Sequence, residues 1–217
     1  MEEEIFVFGI IGLQISLEAV LIQLGYSDLE SVSSGMRDKV GAEIAKTQSL
    51  MEPKGLYLRL QEGDFKGFEL FSGAGRMILA LATIGPALEQ YAKKLVGAGE
   101  GATGLIADAI GTVAAEQTAD FLERKIQQDC SETGLKVSRR YAPGYCGWEI
   151  EAQRQIFSRF DDTLGIKLTD SCLMIPEKSL SFVCLLSRTG DFSSIEVGNC
   201  KNCGQKGCPY RTGSYGL

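Results

Sequence analysis

Met77-Ile-Leu-Ala-Leu-Ala-Thr-Ile84, closed by Gly85-Pro86, is the stretch whose reading decides the fold. It is nearly all apolar, short for a core helix and stopped by Gly-Pro, so it reads as a buried strand. Pro86 suits the first turn of a helix, expected to reach residue 96. Upstream, residues 56–60 and 65–71 read as two short strands around Glu62-Gly63-Asp64. Downstream, residues 136–141, 165–168 and 179–186 are further strand candidates.

Helices are read from apolar periodicity. Residues 16–24 put Leu17, Val20, Leu21 and Leu24 on one face, closed by Gly25. Residues 31–51 repeat the pattern through Val32, Met36, Val40, Ile44 and Thr47, until Glu52-Pro53-Lys54-Gly55 breaks it. The longest helix is expected over residues 105–128, with Ile106, Ile110, Val113, Gln117 and Phe121 on its packed side. Residues 149–160 read as a charged amphipathic helix. The glycine-rich residues 97–104 have no preceding strand and no following Gly-Lys-Ser/Thr, so they read as a helix-to-helix connection rather than a phosphate loop. Helices and strands come in blocks without strict alternation. The fold class predicted is α+β, a mostly antiparallel sheet flanked by helices. One domain is expected over residues 1–197, followed by a Cys/Gly-rich tail over 198–217.

Composition narrows the chemistry. The chain has 217 residues, 44% of them hydrophobic, and a net charge of −6. An acidic chain with scattered Lys and Arg argues against nucleic acid as a partner. The apolar start is interrupted by Gln14, Glu18 and Gln23, and Met1-Glu2-Glu3-Glu4 is acidic, so neither a signal peptide nor a membrane span is expected. There are seven cysteines and no histidine. Cys130, Cys146, Cys172 and Cys184 are dispersed without framework spacing, as in a reducing compartment, and a cytoplasmic location is expected. Without histidine there is no Ser-His-Asp triad, no Cys-His dyad and no imidazole metal ligand.

Three constellations carry chemistry. In Arg140-Tyr-Ala-Pro-Gly-Tyr145, an arginine fork precedes a turn of small residues and an aromatic ring with a hydroxyl edge. It reads either as a site for an amino acid joined to a nucleoside or as a plain surface turn. Glu116, three residues after Val113, is either a solvated helix-face carboxylate or a partner for an ammonium or ribose hydroxyl. Cys200-x2-Cys203-x4-Cys208, with Lys201 and Lys206 among them, reads as a metal knuckle, a redox cluster or a reduced tail. Trp148, the one tryptophan, either covers a ligand or packs.

The first two segments resemble the S-adenosylmethionine-binding reactivation domain of cobalamin-dependent methionine synthase. Residues 140–145 match that family's Arg-x-x-x-Gly-Tyr motif, and Ala115-Glu116 resembles its acidic helix. Thr83-Ile84-Gly85, Met174-Ile175-Pro176 and Ser179-Leu180-Ser181 follow in similar order, so the likeness spans about residues 15–190. The chain departs from the family after Tyr145, where Cys146-Gly147-Trp148-Glu149 stands in place of Pro-Ala-Cys-Pro and a following His.

The resemblance implies that Arg140 holds the methionine carboxylate, that the main chain at Ala142 and Gly144 meets the adenine end, and that Tyr145 closes over it. Glu116 then lies on the polar side of the same ligand. It implies a component of a methyltransferase acting in trans, in methionine biosynthesis: a stand-alone module supporting reductive methylation of cob(II)alamin. The partners implied are a synthase lacking its own activation domain, which supplies the cobalamin, and an electron donor such as flavodoxin or ferredoxin. The alternative is a zinc or iron–sulfur accessory protein, built on Cys200, Cys203 and Cys208, that reduces or binds another corrinoid protein.

Overall fold

A computed structural model describes residues 12–60, 68, 71, 75–145 and 147–192, and the backbone of 5–8. In chain order the elements are β1 (Ile5–Phe8), α1 (Leu17–Gln23), α2 (Ser34–Thr47), β2 (Lys54–Leu60), β3 (Arg76–Thr83), α3 (Ala87–Gly97) and α4 (Gly101–Ser131). Then come β4 (Lys136–Val137), α5 (Gln153–Phe157), β5 (Lys167–Leu168), β6 (Met174–Ile175) and β7 (Ser179–Ser187). The fold is α+β, as the block order predicts.

Five strands form an antiparallel sheet in the order β1-β2-β3-β7-β4, and β5 and β6 form a separate hairpin. The Met77 run is the middle strand, β3. Its side chains alternate between two cores. Met77, Leu79 and Leu81 join Leu56, Leu58 and Val183 under the segment carrying Trp148 and Ile156. Ile78, Ala80 and Ala82 join Phe182 and Cys184 under Ala119 and Leu122 of α4. A sheet covered on both faces explains why the run is apolar throughout. Each fully buried Leu or Ile contributes roughly 1.5–3 kcal/mol, so exposing either face would forfeit several such terms.

A third core lies among α1, α2, α3 and the first half of α4, around Val20, Leu21, Val40, Leu88 and Ile110. The Ser16 side chain caps α1 by accepting from Ala19 N at 3.2 Å, and Gly25 at φ +96° closes it. Ser33 caps α2 in the same way, so that helix starts at Ser34 rather than at residue 31, and a 3-10 turn over Gln48–Leu50 follows it.

Several boundaries differ from expectation. Only residues 98–100 join α3 to α4; Gly101 and Gly104 lie inside α4. The reason is packing: a Cβ at Gly104 would stand 2.7 Å from Val96 Cγ2 and 3.1 Å from Ala92 O. Gly104 therefore serves close helix contact instead of a loop, whereas a Cβ at Gly101 would meet nothing within 4 Å. The packed face of α4 follows the predicted stripe as far as Val113, then turns to Thr118, Ala119, Leu122 and Ile126, leaving Gln117 and Phe121 half-buried. Beyond Val113 the helix lies on the sheet, where Gly55 lets Leu122 approach; a Cβ there would be 3.1 Å from Leu122 Cδ2.

The helix expected over 149–160 is a 3-10 turn (Ile150–Ala152) running into the five residues of α5. No side chain caps either start. Burial of Trp148, Ala152, Ile156 and Phe160 still follows the spacing of four that suggested a helix. Of the strand expected over 65–71, only Phe68 and Phe71 are among the described residues; Phe71 N donates to Phe68 O at 2.9 Å in a turn. β1 and β6 were not anticipated. Among the described residues no helix is long and apolar enough to cross a membrane.

Candidate functional site

The site is set up by a register change at the edge of the sheet. Val137 pairs with Leu186, and the next pairing is Tyr141 with Val183. Four steps along one strand thus match three along the other, which is a β-bulge. Ser138 makes it possible. Its N–H donates to Leu185 O at 2.9 Å, and its buried Oγ accepts from Leu185 N at 2.8 Å, standing in for a strand carbonyl. The same hydroxyl donates to Arg139 O at 2.8 Å.

The bulge swaps faces. In an unbroken strand Val137 and Tyr141 would share a face. Instead Val137 packs on the α4 side, while Tyr141 packs on the opposite side against Phe71, ring centroids 5.5 Å apart. Arg140 is thereby turned toward α4. The strand predicted over 136–141 is regular only over Lys136–Val137 for this reason.

Facing α4, Arg140 meets three carboxylates spaced along one helix face. Its Nη2 lies 2.8 Å from Asp120 Oδ1 and 3.4 Å from Glu116 Oε2, and its Nε lies 3.2 Å from Glu123 Oε2. The guanidinium carbon sits 5.6 Å from the centre of the Phe182 ring. Nη1 is buried and has no hydrogen-bond partner among the described residues. Burial pushes the Glu116 and Glu123 carboxyls above the usual range; Arg140 opposes that, and Asp120 adds to it. Sequence reasoning identified Glu116 and missed Asp120 and Glu123. The i, i+4, i+7 spacing was the available signal.

The turn after Tyr141 is tight. Tyr145 N donates to Ala142 O at 3.3 Å, Gly144 N to Trp148 O at 2.7 Å, and Trp148 N to Tyr145 O at 3.0 Å. Gly144 has φ +85°, and a Cβ there would be 3.0 Å from Ile150 Cδ1, so the position requires glycine. The Gly144 N–H is used within the turn rather than facing outward. Ala142 is half-buried against the α4-side core, whereas Tyr145 is 57% exposed. Trp148 is buried edge-on against Phe71 at 5.0 Å, so it packs rather than covers a ligand.

Thus Arg140 and Glu116 come together directly, with Ala142, Gly144 and Tyr145 on the adjoining turn. The Thr83-Ile84-Gly85 and Ser179-Leu180-Ser181 segments also meet: Ser179 Oγ donates to Thr83 Oγ1 at 2.9 Å, and Gly85 N donates to the same oxygen at 3.1 Å. Cys130, Cys172 and Cys184 are buried and unpaired. Cys146, Cys200, Cys203 and Cys208 lie outside the described residues. Among the described residues no group of three or more Cys, Asp or Glu is placed to hold a metal ion.

Fold and turn together define an antiparallel α+β domain that sets an arginine and an exposed tyrosine at the edge of its sheet. That fold is similar to a solved MetH reactivation domain bound to AdoHcy, with a TM-score of 0.60 over 84% of this chain and 78% of that chain at 12% sequence identity. No family model and no curated protein sequence matches the chain.

Proposed function

We propose that this chain is a stand-alone reactivation module that binds S-adenosylmethionine and supports reductive methylation of cob(II)alamin in a separate cobalamin-dependent methionine synthase. The observation that carries the reading is the unpartnered, buried Nη1 of Arg140 beside an exposed Tyr145, on a fold of the reactivation-domain kind. The residues present fit such a ligand. A buried donor left without an acceptor costs about 1–3 kcal/mol, and a ligand carboxylate supplies that acceptor.

In this reading Arg140 takes the carboxylate, and Glu116 and Asp120 face the ammonium or ribose hydroxyls. The main chain at Ala142 and Gly144 meets the adenine end, and the Tyr145 ring closes over it. S-adenosylmethionine brings the methyl group. This chain's residues hold and orient it, a contribution of geometry that needs no acid or base and so suits a chain without histidine. The corrinoid comes from the partner synthase, and electrons come from a donor such as flavodoxin or ferredoxin. Cys200, Cys203 and Cys208 are read as a zinc or iron–sulfur knuckle. Metal analysis of anaerobically purified protein tests that part: Cys203→Ser is expected to lower bound metal, and absence of stoichiometric metal from the parent rejects it.

The test of the main reading is reactivation in trans. A synthase lacking its own activation domain is brought to the cob(II) state, and reductant, S-adenosylmethionine and this protein are added. Return of methylcobalamin absorbance is expected to require all three. Equal recovery without this protein refutes the proposal.

A further inference from the structure

The three carboxylates around Arg140 divide its hydrogens unequally. A guanidinium carries five N–H donors: one on Nε, two on Nη1 and two on Nη2. Glu123 faces Nε at 3.2 Å, while Asp120 and Glu116 face Nη2 at 2.8 and 3.4 Å. Nη2 donates to Glu116, both of these nitrogens face carboxylate oxygens at ion-pair distance, and Nη1 has no partner among the described residues. The group also lies over an aromatic ring, its carbon 5.6 Å from the Phe182 ring centre. Asp120 and Glu116 share one nitrogen and can substitute for each other. Glu123 is the one carboxylate of the three that faces Nε, the nitrogen nearest the aliphatic stem, and so it constrains the rotation of the fork from that end.

We infer that Glu123 is the positioning residue of the site: by holding Nε it reserves the Nη1 corner of Arg140 for the carboxylate of an amino-acid ligand. This rests on the S-adenosylmethionine reading above. It goes beyond that reading in assigning a role to a residue that need not touch the ligand. Its burial fits the role, because a carboxylate at 20% side-chain exposure holds one geometry better than a solvated one. The presence of Arg124 among the charges acting on Glu123 leaves the pairing with Arg140 as the stronger influence.

The inference separates geometry from charge, and so does its test. Binding of S-adenosylmethionine and of decarboxylated S-adenosylmethionine is measured by calorimetry for the parent, Glu123→Ala and Glu123→Gln. Glutamine keeps an oxygen for Nε and removes the charge. The expected result is a loss of about tenfold in S-adenosylmethionine affinity for Glu123→Ala, a coupling typical of groups sharing one network. Glu123→Gln is expected to restore most of it, and the decarboxylated ligand, which has nothing for Nη1 to grip, is expected to bind all three proteins alike. Unchanged S-adenosylmethionine binding in Glu123→Ala overturns the inference. So does an equal loss for both ligands, which would mark a general charge or folding effect. If Glu123→Ala does not fold, Glu123→Asp, which draws the carboxylate back by one methylene, carries the same comparison. A parent that binds neither ligand instead overturns the S-adenosylmethionine reading, and this inference with it.

Discussion

Tyr141 and Val183 exchange two backbone hydrogen bonds of 2.8 Å each, one residue out of step with the pairing of Val137 and Leu186. That offset sends Tyr141 into one core and Arg140 toward α4. The chemistry assigned to the turn depends on it, because an arginine on the other face could not reach Glu116, Asp120 or Glu123.

Arg140→Ala is expected to weaken S-adenosylmethionine binding by more than about tenfold, since a partly buried arginine–carboxylate pair is worth roughly 2–4 kcal/mol when truncated. A stability effect accompanies it. Arg140 also compensates three carboxylates. Glu116 and Glu123 have folded-state pKa values already raised by burial, and removing Arg140 takes away what opposes that rise. The native state then binds protons more tightly than the unfolded chain, so stability is present below the ordinary carboxylate pKa and is lost as pH rises through the raised values. The melting-temperature deficit of Arg140→Ala is therefore expected to be larger at pH 8 than at pH 5. An equal deficit at both rejects this account.

Ser138→Ala removes the oxygen that accepts from Leu185 N. A buried N–H left unpaired costs about 1–3 kcal/mol. Urea unfolding is expected to show a loss in that range, and titration a weaker S-adenosylmethionine affinity, because the bulge that aims Arg140 loses its support. A variant as stable as the parent would show that the bulge holds without the hydroxyl.

Gly144→Ala places a side chain at φ +85° and a Cβ 3.0 Å from Ile150 Cδ1. A left-handed conformation costs a non-glycine residue about 1–2 kcal/mol. The turn can relieve this only by shifting Tyr145, so lower stability and weaker ligand binding are expected together. Weaker binding with full stability points to a ligand contact at Gly144 instead.

Gly104→Ala sets two effects against each other. Helix propensity alone favours alanine by about 1 kcal/mol. The added Cβ would meet Val96 Cγ2 at 2.7 Å and the Ala92 carbonyl oxygen at 3.1 Å. Overpacking of this kind costs about 1–3 kcal/mol, and the backbone oxygen cannot swing aside as a valine methyl can. A net loss in the urea midpoint is expected, and a gain would show that α3 and α4 can part freely.

What was legible in the sequence follows a physical division. The Met77 and Ser179 strands stood out because both faces of β3 and β7 are buried, which leaves a continuous apolar signature. The start of α1 stood out because Ser16 caps it. The helix-to-helix connection expected around Gly97–Gly104 is there but shorter, over residues 98–100, because glycine marks both loops and close helix contacts such as that of Gly104, and composition cannot separate them. At the site, residues 140–145 were legible as a turn by their glycine and proline. The bulge was not, because it exists only in relation to β7, some 45 residues away in sequence. Asp120 and Glu123 were passed over because their meaning comes from the arginine that the bulge delivers to them.

The shortness of β4 has a bearing on solubility. An outer strand that displays a long row of unpaired amides invites a second molecule to add itself. Here the outermost strand on the β7 side offers regular backbone only at Lys136 and Val137, then breaks into the bulge, with Lys136 exposed at its start. The distortion that points Arg140 inward thus also blunts this margin of the sheet against self-association.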